Sequence, residues 1–524
     1  MTISAIMRKV KSYNTTPEVL LRRSLTQRGL HVSRRKLLPG KPDAVISRHR
    51  VAVFVDGDFW HGNQWHRRGL DSVEEQFARL ASKAYWIRKI RRNMDRDCRV
   101  TDALFQSGWH VIRFWESDIT KNTERCAEMV ATSITCDPLV RLRAALAKRT
   151  VAEFFAGIGL MRLGLQKNGW RVAFANDIDE QKRQMYLGHF KNANDHLSPK
   201  DIHLLSSDDV PDVSLATASF PCNDLSLAGA RGGLSGKNSS AFWGFVQVLE
   251  GMGERRPPLV LIENVPGFLT SHGGQDFERA LLSLNRLGYG VDPFVIDAVS
   301  FVPQSRQRMF IMGVNRVIVD TLRSPEPFLF AESEIRPKPL AKFIIDHPEI
   351  HWALRKLPKL PEGGNRLEAV LEDLQDDGSE WWSETRATYL YNQFSPKHKA
   401  VADRMIKGRK WSYGTVFRRI RNAKSMAELR TDGIAGCLRT PRGGSGRQIL
   451  FKAGYGTYQA RLLTPKECAR LMGADDFVIS GSLNQALFGF GDAVCVDVIG
   501  WIALHYLNPI VSESLRFTVA LSNK

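Results

Sequence analysis

"TVAEFFAGIGLMRLGLQKNGWRVAFAND", residues 150–177, decides the fold. Its two ends, "TVAEFF" and "RVAFAND", read as strands, and the apolar spacing of "LMRLGLQKNG" reads as a helix between them. Gly157 and Gly159 follow the first strand directly and open the helix, where main-chain amides can approach a ligand closely. The third glycine of a dinucleotide fingerprint is missing, because position 162 is Arg. Asp177 stands twenty residues beyond Gly157, at the end of the second strand, where a carboxylate can bind ribose hydroxyls. The stretch therefore predicts a nucleoside site with no need for a pyrophosphate. Downstream, strands and helices keep alternating through "VSLATAS" (213–219), "PLVLIENV" (258–265) and "PFVIDA" (293–298). This is the pattern of a doubly wound, largely parallel sheet.

Upstream lies a second, smaller α/β pattern. "TTPEVLLRRSLTQRGL" (15–30) reads as a helix stopped at Gly29, "AVISRHRVAVFVDG" (44–57) as two short strands, residues 77–108 as helical, and "WHVIRFW" (109–115) as a further strand. Residues 121–148 read as a helical connector. Between about 317 and 455 the alternation gives way to Pro, Gly and charged segments, and "LTPKECARLMG" (463–473) and "FGDAVCVDVIGWIALHYL" (490–507) restore helices.

Composition narrows the class of function. With 524 residues, 43% hydrophobic and 25% charged, the chain is expected to be a soluble protein of two or three domains. No 18-residue apolar run is evident, so secretion and membrane spanning are not expected. The seven cysteines are odd in number, scattered and without a Cys-x-x-Cys pair, which suits free thiols in a reducing compartment. A net charge of +19 points to a polyanionic partner. The first fifty residues hold twelve Lys and Arg against Glu18 and Asp43 alone. Further basic clusters follow in "RKIRRNMDRDCR" and "RMIKGRKWSYGTVFRRIRNAK".

"FPCNDLS" (220–226) sets Cys222 at the exit of an apolar strand, in a loop, where a thiol is placed to meet a ligand rather than to pack. "ENVPG" brings Glu263 to the end of another strand, at the sheet edge where doubly wound folds bind ligands. In "VPQSRQRMFIMG", Arg306 and Arg308 are two apart and face one side if extended. A nucleophile, a carboxyl group and guanidinium groups at one edge suit attack on a polarised heterocycle.

With these motifs in order, residues 150–524 resemble the cytosine-C5 DNA methyltransferase family. The resemblance rests on "FFAGIG", "FPCNDLS", "ENV", "QSRQR", "RLLTPKECARLMG" and "GDAV". It implies S-adenosylmethionine as cofactor, with Phe155 stacked on adenine, Asp177 holding the ribose, Asp201 near the adenine amino group, and Gly157, Gly159, Ile178 and Pro221 also in the binding site. It implies Cys222 as nucleophile, Glu263 at cytosine N3 and Arg308 at O2, with Arg306 beside it. Two positions depart from the family pattern: Asn223 where Gln is usual, and Asp492 where Asn is usual. The family's target-recognition region falls at 317–455, where Arg439, Arg442 and Arg447 in "LRTPRGGSGRQ" suit a DNA groove. A zinc cytosine deaminase is the rival for a flipped cytosine, but position 225 is Leu where its second cysteine is required.

Residues 1–120 resemble the very short patch repair (Vsr) endonuclease family, through "NTTPEVLLRRSL", "LLPGKPDAVISRHRVAVFVDGDFWHGNQWH", "YWIRKIRRNMDRD" and "GWHVIRFWES". The resemblance implies catalytic magnesium on Asp43, assisted by Glu18 and His61. An acid opening one strand and Asp56 on the next can converge on one cation. Phe59, Trp60 and Trp86 match the aromatics with which that family opens the base stack, since such rings can stack on bases. The family's structural zinc is not expected, because the matching positions are Asp58, Asn63, Trp65 and Ser117. Either packing replaces the metal or the domain only binds DNA.

The sequence thus predicts an α/β chain: a small restriction-endonuclease-like domain at 1–120, a connector at 121–148, and a Rossmann-like catalytic domain at 149–316 and 456–524 with a target-recognition domain inserted at 317–455. The expected partner is double-stranded DNA, with no membrane, a monomer in solution, and a bacterial cytoplasmic, nucleoid-associated location. The expected activities are cytosine-C5 methylation and magnesium-dependent nicking of T:G mismatches at the same site. The alternatives are a restriction–modification fusion that cuts unmethylated DNA, or an inactive DNA-binding appendage.

Overall fold

A computed structural model of the chain describes residues 13–33, 38–70, 72–106, 109–136, 138–221, 240–319, 327–364, 366–421, 424–440 and 447–516. Two units emerge: residues 1–148 with 317–323 and 510–524, and residues 149–316 with 324–509.

The first unit is organised on three strands, β1 (Ala44–Ile46), β2 (Val51–Asp56) and β3 (His110–Trp115). β1 runs antiparallel to β2 and β2 parallel to β3, so the long helix α2 (Lys83–Gln106) makes the crossover a parallel pair requires. Helix α1 (Thr16–Gln27) starts with Pro17 in its first turn and Glu18 near its positive end. Its apolar residues Leu21 and Leu25 reach the core at helical spacing. Residues 121–148 are not a connector. Helix α3 (Thr123–Cys136) buries Cys126, Ala127, Val130 and Ile134 in the same core as Leu21 and Leu25, and Ser24 donates to Glu124 at 2.8 Å. The apolar face of this helix closes the core.

The second unit realises the alternation read from residues 150–298. Its seven-stranded sheet contains β4 (Thr150–Phe154), β5 (Arg171–Asn176), β6 (Leu197–Ser198), β7 (Leu215–Ala218), β8 (Leu259–Asn264), β9 (Tyr289–Asp297) and β10 (Gln307–Asn315). The order is β6-β5-β4-β7-β8-β10-β9. Every pairing from β6 to β8 is parallel, and β10 is antiparallel to both its neighbours. β4, β7 and β8 are buried along their whole length, as central parallel strands covered by helices must be.

A smaller antiparallel sheet follows: β11 (Ser412–Arg421), β12 (Lys424–Arg430), β13 (Ile449–Gly454) and β14 (Thr457–Leu462), in the order β12-β11-β13-β14. It has its own core of Leu390, Phe394, Val416, Ile449 and Phe451. The boundary expected at 455 falls in the two-residue turn between β13 and β14, and the pairing carries this sheet on to Leu462. The C-terminal run Leu483–Ser514 has the length and composition of a membrane span, yet 61% of its most apolar window is buried within the protein, as in a core helix.

Candidate active sites

In the second unit, β4, β5, β7 and β8 deliver their C-terminal ends to one edge. A cavity of about 300 Å³ opens there, and its walls include Phe155, Gly157, Asp177, Ile178, Pro221 and Glu263. Phe155 holds a φ of +56°, a left-handed conformation uncommon for a non-glycine residue, in the turn after β4. Gly159, at φ +87°, tolerates no side chain: a Cβ would lie 2.4 Å from the Phe190 ring. Asp177 accepts the amides of Gly157 (2.7 Å) and Asp179 (2.8 Å), which fixes its carboxylate at the cavity wall. A carboxylate offers about four acceptor positions, so two stay available to ribose hydroxyls. Ile178 is 63% exposed, an unusual state for isoleucine, and presents an apolar face to the cavity. These donors, acceptors and apolar faces fit a nucleoside cofactor. Asp201 is not among the lining residues; its carboxylate caps a turn by accepting the His203 amide at 2.9 Å.

Glu263 closes β8 and is buried, with Arg308 Nε donating to its Oε1 at 3.0 Å. Burial raises its pKa against the opposing pull of Arg308 and Arg306. The carboxyl therefore holds a proton more readily than an exposed glutamate. Beside it, the Asn264 amide donates to the Phe220 carbonyl at 3.2 Å, tying the strand end to the turn that leads into Pro221. Cys222, Asn223 and Arg442 lie outside the described residues.

The two arginines of "QSRQR" differ. Arg306 is 2% exposed, and its guanidinium meets the carbonyls of Leu438 (2.9 Å), Gly491 (3.0 Å) and Ala493 (2.5 Å) and the Cys437 sulfur (3.3 Å). Expected as catalytic, it instead joins three chain segments around the cavity. Arg308 is the guanidinium that pairs with Glu263. The departure at Asp492 also has a reason: its carboxylate pairs with Lys182 at 2.8 Å, and both residues line the cavity. Arg439 is exposed, and Arg447 donates to Asn484 at 2.6 Å.

In the first unit, Asp43 enters β1 and accepts the Val55 amide of β2 at 2.8 Å, while its carbonyl accepts from Arg22 at 2.9 Å. Burial pushes its pKa up to about 6, and the negative charges of Glu18 and Asp56 add to the shift. A carboxylate crowded by other acids is a place where a hard cation relieves repulsion. Glu18 is buried and held by the Asn14 amide (2.8 Å) and the Thr15 hydroxyl (3.0 Å). Asp56 ends β2, but Arg113 grips both its oxygens at 2.7 Å, so the expected metal pair Asp43–Asp56 is uneven. Asp56 groups with His61 and Asp97, whose ligand atoms all lie within 4.8 Å of one another. His61 Nδ1 donates to Asp97 at 2.5 Å, which sets the ring's tautomer. Asp97 was not anticipated; it is one of three aspartates, with Asp95 and Asp102, in a helix otherwise rich in Lys and Arg.

Phe59, Trp60 and Trp86 form one aromatic cluster, with ring centroids 4.9–6.1 Å apart. Trp86, expected at the DNA, is buried at its centre beside Phe77 and Ile90 and supports the half-buried Phe59 and Trp60. The positions matched to zinc ligands do not fit the metal. Asn63 and Ser117 donate to Asp58, and Trp65 packs in the aromatic cluster.

Comparisons with known proteins find a family match in each unit. The C-5 cytosine-specific DNA methylase family matches residues 149–507, and the DNA mismatch endonuclease Vsr family matches residues 1–67. The type II nicking enzyme V.NmeDIP of Neisseria meningitidis serogroup C is 40% identical over 129 residues, 24% of this chain and 82% of that protein. The type II methyltransferase M.DsaV of Dactylococcopsis salina is 27% identical over 360 residues, 68% of this chain and 86% of that protein. The crystal structure of S. pombe Dnmt2 methyltransferase aligns with a TM-score of 0.46 at 19% identity, covering 69% of this chain and 98% of that one. The chain therefore belongs to the C-5 cytosine-specific DNA methylase family and carries at its N-terminus a domain of the Vsr mismatch endonuclease family.

Proposed function

We propose that the second unit methylates C5 of a flipped cytosine in duplex DNA, and that the first unit nicks the T:G mismatch left when the methylated cytosine deaminates. The Glu263–Arg308 pair carries the first half, because it sets a carboxyl and a guanidinium side by side in the wall shared with Asp177 and Phe155. The Cys222 thiolate adds to C6 while Glu263 contacts N3 and Arg308 contacts O2. S-adenosylmethionine, held at the wall of Phe155 and Asp177, would supply the methyl group to C5 and leave as S-adenosylhomocysteine; loss of the C5 proton to water and breaking of the Cys222–C6 bond would then release the product base.

Asp43 carries the second half, with Asp56 beside it, as the residues that would hold magnesium; the ion would supply Lewis acidity at the scissile phosphate. The Asp97-oriented His61 stands beside this group as a proton carrier. Zinc has no part in this reading. Fusion keeps maker and mender of one lesion at equal abundance.

Three duplexes carrying the methylated sequence of this enzyme test the reading, each with magnesium: a T:G heteroduplex, an unmethylated homoduplex and a fully methylated one. Nicking of the heteroduplex alone is expected. Cutting of only the unmethylated homoduplex would replace repair with restriction, and no cutting of any would reduce the domain to a DNA-binding appendage.

A further inference from the structure

Asp58 is 3% exposed and carries a charge, a costly placement unless every lone pair finds a donor. Its Oδ1 accepts the Asn63 amide (2.5 Å) and the Ser117 hydroxyl (2.8 Å), and its Oδ2 accepts the Ser117 main-chain amide (3.1 Å), with Arg67 Nη1 at 3.5 Å. The grip is reciprocal, because the Asp58 amide donates to Glu116 at 3.2 Å. Two stretches 59 positions apart are thereby joined: the turn after β2 and the start of the helix after β3. The same turn is braced internally by Trp60 and His61 amides on the Gly57 carbonyl and by Asn63 and Gln64 amides on the Asp58 carbonyl. It carries Phe59, Trp60 and His61.

We infer that Asp58, Asn63 and Ser117 form a metal-free clasp that performs the work of a structural metal in this domain, locking the turn that carries His61 onto the end of β3. A central anion with converging donors is the inverse of a central cation with converging ligands. Each fixes several chain segments through one buried point, but the clasp needs no ion and does not respond to chelators. Trp65, the fourth matched position, adds apolar packing instead of a ligand. The inference concerns the architecture of the domain and stands apart from the nicking reading.

The test uses the full chain. Elemental analysis should find no stoichiometric zinc, and the unfolding profile should be unchanged by a strong chelator. About one zinc per chain, with an unfolding transition that falls on chelation, would overturn the clasp. Ser117→Ala and Asp58→Asn should each speed amide exchange across 57–64 by about 10-fold or more. The double variant should cost much less than the sum of the two, because both remove one interaction. Additive effects, or unchanged exchange, would overturn it. If T:G nicking is present, Ser117→Ala should lower its kcat while leaving KM for DNA nearly unchanged. Loss of methyl transfer in that variant would show a general folding defect and count against a local clasp.

Discussion

The two candidate sites raise a carboxyl's proton affinity by different routes. Glu263 is raised by burial, while its nearest charges, Arg308 and Arg306, oppose the shift. Asp43 is raised by burial too, but there Glu18 and Asp56 reinforce it. The first arrangement suits a group that must meet a neutral ring and trade a proton with it. The second stores repulsion that a divalent cation would release. One carboxyl is flanked by opposite charges and the other by like charges, so the same functional group is prepared for two kinds of partner.

The sharpest break is a double dissociation. Cys222→Ala should abolish methyl transfer and keep cofactor binding, and Glu263→Gln should lower transfer by about 10²–10⁴-fold, both leaving T:G nicking intact. Asp43→Asn should do the reverse, removing nicking with methylation unchanged. Radiolabelled methyl transfer and nicking assays on one preparation read both, and joint loss in any variant would mean that the two sites are not independent.

A smaller contrast separates the paired arginines. Arg308→Lys should lower kcat for methylation by about 100-fold with little effect on unfolding. Arg306→Lys should destabilise the second unit by about 2–3 kcal/mol, through lost hydrogen bonds to the carbonyls of Leu438, Gly491 and Ala493. Equal kinetic losses with no change in denaturation midpoint would return Arg306 to the catalytic set.

The smallest effect concerns Glu153 of β4, buried beside Tyr186 and Arg162 and pushed by burial up to about 8 from 4.5. Between those values the folded state binds more protons than the unfolded one, so stability is full below pH 4.5 and falls as pH rises toward 8. The melting temperature of the wild type should fall by several degrees relative to Glu153→Gln between pH 5 and 8. Parallel pH curves for the two proteins would show that Glu153 does not titrate in this range.

Much of the second site was legible because its chemistry sits at strand ends, in chain order, inside short motifs. Glu263, Asp177 and the Phe155 turn needed only local pattern to be placed. What was not legible depends on pairings between distant segments. Two arginines two apart looked alike until the carbonyls of residues 438, 491 and 493 claimed one of them. Asp97 acquires meaning only through His61, 36 residues away. Helix α3 looked like a linker because its apolar face has no partner until α1 is folded beside it. Asp58 and Ser117 could be named as departures, but no local signal said that they would meet.

The main-chain contacts around Arg306 also bear on how such chains could be recombined. Gly491 lies so near the peptide joining Arg439 and Thr440 that a Cβ would come within 2.7 Å of that backbone. The Gln304 carboxamide accepts the Leu438 amide at 2.9 Å and donates to Leu471 at 2.7 Å. Residues 435–440 are therefore stitched to the catalytic framework through main-chain atoms, which any graft would have to reproduce in position although not in sequence. Recombination, in nature or by design, has its workable crossover points outside this stitched stretch. Chimeras that keep residues 435–440 and their main-chain contacts should keep the cavity, whereas joints inside that stretch should yield hybrids that lose it.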